Sequence, residues 1–68
     1  MATVRQKLGK QITKIRKERG LTQEKLAELA SIDYSYLNLI ENGKRNPSIN
    51  VITKIARALK TPLNELVP

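Results

Sequence analysis

The stretch Thr22–Gly43, TQEKLAELASIDYSYLNLIENG, constrains the fold more than any other part of the chain. It fits two short helices joined by a tight turn. Thr22 is an N-cap residue, and Gln23 and Glu24 fill the first helical turn. Leu26, Ala27, Leu29 and Ala30 then form an apolar stripe. Ser31-Ile32 breaks the pattern, and Asp33 can cap a second helix whose apolar face is Leu37 and Ile40. Asn42-Gly43 closes that helix, with Gly43 suited to the left-handed position after its end. Ala27 is small enough to let the second helix approach closely, and Ile32 is placed to plug the angle between the two.

Two helices locked in this way leave Tyr34, Ser35, Asn38 and Leu39 on the outer face of the second. A helix-turn-helix presents its recognition helix to the DNA major groove by this arrangement. Charge agrees with a polyanionic partner. The net charge is +7, and residues 1–20 carry seven Lys/Arg against Glu18. Residues 21–43 carry only Lys25 against four acids, and residues 44–68 carry five Lys/Arg against Glu65. Basic flanks suit phosphate contact, while the middle must read base edges or shape. A solvated basic surface with no partner is the alternative reading of the same charges.

Sixty-eight residues make one small domain, 1–68, which buries roughly 60% of its unfolded surface. With no Cys and no His there is no disulfide framework, common zinc site or imidazole base. No Gly-rich phosphate loop and no paired set of acids is present, so neither an enzyme nor a bound cofactor is expected. No apolar run approaches the roughly 20 residues of a membrane span, and the N-terminus lacks a signal-peptide core. The expectation is a soluble, cytoplasmic protein with no membrane partner.

Taken in order, Met1–Thr3 reads as a loose end, and a first helix runs from Val4 or Arg5 to Arg19. Its core face is Val4, Leu8, Ile12 and Ile15; Lys7, Lys10, Lys14 and Lys17 lie on other faces. Gly9 marks close packing or nothing. Gly20 ends the helix, with Leu21 placed for the apolar contact of a Schellman cap. The next two helices span Gln23–Ala30 and Tyr34–Asn42. A basic loop, GKRNP, follows. Ser48 caps a fourth helix, 49–60, with apolar face Ile49, Ile52, Ile55, Ala56 and Leu59. Thr61 and Pro62 read as N-cap and first position of a short fifth helix, 62–66. Leu63, Leu66 and Val67 exceed what so short a helix needs for docking. Either all three pack internally or part of the set forms a symmetric dimer seam.

The segments RKERGLTQEKLA, the Ala-x-Ile-Asp turn, IENGKRNPS and IARAL, at these spacings, resemble the phage repressor and Cro-like (XRE-type) helix-turn-helix family. The resemblance runs from about Leu8 to Val67 and implies an all-α, five-helix, lambda repressor-like domain. One departure is Ser31, where relatives often hold Gly; a positive φ there would cost about 1 kcal/mol. By this resemblance Arg16 pairs with Glu41, the alternative being an exposed, phosphate-binding Arg16. Gln23 contacts a phosphate and braces the recognition helix, and Tyr34, Ser35 and Leu39 read bases with Asn38 beside them. Helix 62–67 supplies a homodimer contact.

The residues add chemistry to these roles. Asn38 can address adenine, Ser35 reads weakly, and Leu39 meets only apolar edges such as the thymine methyl. No Arg lies in the recognition helix, so the strongest guanine contact is missing and DNA shape carries much of the specificity. Tyr36 is divided between packing and a phosphate or dimer-centre contact. Lys44 and Arg45 lie along the backbone, and Asn42 and Asn46 can donate to phosphates.

The expected function is therefore a double-stranded DNA-binding transcriptional regulator, bound as a homodimer to an inverted repeat, bacterial or phage-encoded and nucleoid-associated when bound. It would block RNA polymerase or recruit it by contact. Small phage regulators, restriction–modification controllers and antitoxins all fit. The rival is a protein-interaction module of the same fold without specific DNA readout. RNA binding is possible on charge alone, although two tyrosines on one helix make no stacking platform.

Overall fold

The computed structural model describes residues 2–67, which form five helices and no strand. They are α1 (Val4–Glu18), α2 (Gln23–Ala30), α3 (Tyr34–Glu41), α4 (Ile49–Ala58) and α5 (Leu63–Leu66). Side-chain oxygens of Thr22, Asp33 and Ser48 cap α2, α3 and α4 by accepting from backbone N–H groups in the first turn.

Four consecutive helices end in one pattern, in which the N–H past the last turn reaches back to a carbonyl five residues earlier. The bonds are Leu21 N to Arg16 O, Ile32 N to Ala27 O, Lys44 N to Leu39 O and Thr61 N to Ala56 O, at 2.9–3.1 Å. The residue before each donor has positive φ: Gly20 (70°), Ser31 (55°), Gly43 (72°) and Lys60 (54°). Ser31 therefore does occupy the conformation that glycine favours.

Leu8, Ile12 and Ile15 of α1 meet Leu26, Ala27 and Ala30 of α2, Leu37 and Ile40 of α3, and Ile52, Ile55, Ala56 and Leu59 around α4 in one buried core. Ile32 and Leu21 pack against it from the turns. Gly9 marks close packing: a Cβ there would lie 2.5 Å from the Ile40 carbonyl oxygen and 2.6 Å from that of Glu41. The backbone of α1 thus rests directly on the last turn of α3.

Several expectations need correction. Thr3 is not part of a loose end; it caps α1 in a reciprocal box, Gln6 N to Thr3 Oγ1 at 3.3 Å and Thr3 N to Gln6 Oε1 at 2.8 Å. The part of that expectation that falls on Met1 lies outside the described residues. Val4, Leu29 and Ile49 are exposed, each lying at the margin of its helix's apolar arc. Thr61 does not cap α5. Its buried hydroxyl donates to Leu59 O at 3.2 Å and accepts from Arg19 Nη2 at 3.1 Å, and Pro62 stands at the N-cap with no side-chain bond. The first, third and fourth helices each stop one or two residues short of the expected end, because the capping residues leave helical bonding there.

Candidate nucleic-acid interface

The outer face of α3 begins at its capped N-terminus. Asp33 Oδ2 accepts from Ser35 N at 2.9 Å and Tyr36 N at 3.4 Å, which fixes how the helix starts. Tyr34 and Ser35 are exposed in this first turn, and Leu39 is half-buried one turn on. Tyr36 is half-buried and packs against the core, so its ring serves packing. Lys44, Arg45 and Asn46 are exposed in the loop after α3. Pro47 is buried and anchors that loop.

Behind this face lies a polar network centred on Glu41. Its side chain is 3% exposed and faces Arg16, whose side chain is 10% exposed. Arg16 Nε donates to Glu41 Oε2 at 2.9 Å and Arg16 Nη2 to Oε1 at 3.1 Å, a bidentate pair. Arg16 Nη1 also donates to Leu21 O at 2.7 Å. Glu41 Oε1 accepts further bonds from Thr13 Oγ1 at 2.8 Å and Gln23 Nε2 at 3.1 Å. The carboxylate thus joins α1, the start of α2 and the end of α3. Among the described residues, no buried side-chain nitrogen or oxygen lacks a partner.

The network continues to the outer face of α3. Gln23 Oε1 accepts from Asn38 Nδ2 at 3.1 Å. Asn42 Nδ2 donates to Asn38 O at 2.8 Å and to Asn38 Oδ1 at 3.3 Å. Three of the expected contact residues, Gln23, Asn38 and Asn42, are therefore coupled to one another. Gln23 Nε2 and Asn38 Nδ2 each keep one hydrogen for an external acceptor. Asn42 has turned its amide back on α3, so donating to a phosphate requires it to leave Asn38. The resemblance implied that Gln23 braces the recognition helix, and the bond to Asn38 does so; the sequence did not name Asn38 as its partner.

Of the residues assigned to a dimer seam, Leu66 is withdrawn from the surface. It is 1% exposed and completes the chain's own core. Leu63 is half-buried against that core, and Val67 is 38% exposed. Of the three, Val67 and the open side of Leu63 remain at the surface.

A five-helix domain whose third helix is braced from behind and open in front is a helix-turn-helix domain. The helix-turn-helix family model HTH_3 matches residues 12–66, and the chain belongs to this family of DNA-binding transcriptional regulators, which are not enzymes. The chain is 39% identical over 67 residues to the control protein C.MunI of a Mycoplasma species, covering 97% of this chain and 90% of that one. It is 43% identical over 60 residues to the immunity repressor protein of Bacillus phage phi105, covering 88% of this chain but 42% of the repressor. Among solved structures, the restriction-modification controller protein C.AhdI of Aeromonas hydrophila superposes with a TM-score of 0.89 at 40% identity, covering 91% of this chain and 94% of that one. No helix among the described residues is long and apolar enough to cross a membrane.

Proposed function

We propose that the chain regulates transcription by binding an inverted-repeat operator as a homodimer, with α3 of each copy in successive major grooves. The exposed outer face of α3, set on the buried Glu41 network, carries this reading. Tyr34, Ser35 and Leu39 address base edges, and Asn38 does so with its remaining hydrogen while also bracing Gln23. Gln23, Lys44, Arg45 and Asn46 contact phosphates, with Tyr36 and Asn42 at the edge of that set. Leu63 and Val67 form the seam between copies. A bound dimer blocks RNA polymerase at an overlapping promoter or recruits it by contact from beside one. The likeness to a phage repressor and to restriction–modification controllers supports the regulatory role.

Selection from a random duplex pool at near-physiological salt tests this reading. The expected result is an enriched inverted repeat whose half-site centres lie about one helical turn, roughly 34–36 Å, apart. A single enriched half-site would remove the dimer. Salt-sensitive binding without enrichment would remove sequence-specific readout and favour a protein-interaction module.

A further inference from the structure

The outward face of α1 carries Lys10, Lys14 and Lys17, all exposed. At about 100° per residue, Lys10 and Lys17 lie within about 60° of the direction of Thr13. Thr13 bonds Glu41, so this direction looks towards the end of α3. There the lysines border a shallow depression between α1 and the last turn of α3, whose far wall includes Glu41 and Asn42. Glu41 is the one acid in its lining, and Arg16 already neutralises it. Among the described residues the ion pairs are Arg16–Glu41 and Lys25–Glu28, so none of the three lysines has an acidic partner. The row is also continuous with the loop after α3. A Cβ on Gly43 would lie 2.7 Å from Gln6 Cγ, which puts Gln6, one turn before Lys10, beside the start of that loop.

We propose that Lys10, Lys14 and Lys17 form a second phosphate track, which holds the duplex backbone beyond the stretch that α3 reads. This rests on the DNA-binding reading above. The seven steps from Lys10 to Lys17 rise about 10 Å along the helix, and one strand carries a charge every 3.4 Å or so, which places about three phosphates within reach. Phosphates carry no base information, so the track lengthens the bound site without changing the preferred sequence.

The test uses the full chain and its Lys10→Gln/Lys14→Gln/Lys17→Gln variant, in which glutamine keeps good helix propensity. Equal melting temperatures of the two proteins establish that the variant folds. Binding is measured against salt on the selected operator, alone and with about one helical turn of flanking duplex on each side. On the long duplex the slope of log K against log salt should shrink by about 0.9 for each phosphate that a lysine no longer neutralises, while the short duplex shows no change. The preference for operator over scrambled duplex should stay the same. Equal slopes for variant and wild type on the long duplex would overturn the proposal and leave a solvated helix face. An equal reduction on both lengths would overturn it differently, by putting the lysines over the half-site itself. Wild type without preference for any sequence would defeat the readout reading alone. The track would then stand or fall on the slope measured with long scrambled duplex.

Discussion

Glu41 is the residue on which most polar bonds converge. Its carboxylate accepts from Thr13, Arg16 and Gln23, and it is almost fully withdrawn from solvent. Removing it leaves the buried Arg16 guanidinium with Leu21 O as its one remaining acceptor among the described residues, and an uncompensated buried charge costs about 3–5 kcal/mol. Glu41→Ala should lower the melting temperature by many degrees. Glu28→Ala, which breaks only the exposed Lys25 pair, should change stability by less than about 1 kcal/mol. Equal effects of the two changes in thermal denaturation would show that the pair with Arg16 does not hold α1 to α3. Gly9 makes a second sharp case. Alanine would favour the helix by about 1 kcal/mol, yet its Cβ would collide with two carbonyl oxygens of α3. Gly9→Ala should therefore be net destabilising, by about 1–3 kcal/mol on urea unfolding, because backbone must move to admit it.

At the scale of the elements, the helix ends have one common construction and two kinds of residue. Gly20 and Gly43 take the left-handed position without a side-chain penalty, whereas Ser31 and Lys60 bear it. Ser31→Gly and Lys60→Gly should each raise stability, by up to about 1 kcal/mol, offset in part by the greater freedom of glycine in the unfolded chain. Calorimetry on the single variants would check this, and a loss of stability at either site would mean that its side chain holds something in place. These ends also show what could be read in advance. Caps and terminating glycines are local signals, and together with periodicity they placed the helices to within a residue or two, although Thr3 was not read as a cap and Thr61 was misread as one. Burial at the margins was less readable, because periodicity gives the direction of an apolar face but not its width. Val4, Leu29 and Ile49 continue the pattern past the point where a neighbouring helix covers it. The Arg16–Glu41 pair and the bracing of α3 by Gln23 were legible only through family resemblance, and the choice of Asn38 as the partner of Gln23 was not legible. It depends on how the start of α2 sits against α3, which no spacing within either helix encodes.

For the whole molecule, folding and the proposed self-association draw on the same stretch, Leu63–Val67. Leu66 belongs to the core, and Leu66→Ala should cost about 2–5 kcal/mol of monomer stability. Val67 is exposed, so Val67→Asp should leave the fold intact and weaken dimerisation, read as a lower mass in sedimentation and a melting temperature that no longer rises with protein concentration. An unchanged mass would move the seam elsewhere. The arrangement around α3 has a wider consequence. The side chains that hold it, Leu37, Ile40 and Glu41, are buried, while Tyr34 and Ser35 are exposed and make no side-chain hydrogen bond among the described residues. On the proposed reading, Leu37, Ile40 and Glu41 hold the helix, Tyr34 and Ser35 read, and Asn38 alone does both. If α3 reads bases as proposed, a lineage built on this scaffold can exchange its outward letters one at a time at little cost to folding, and acquire new target sequences while its architecture stays fixed.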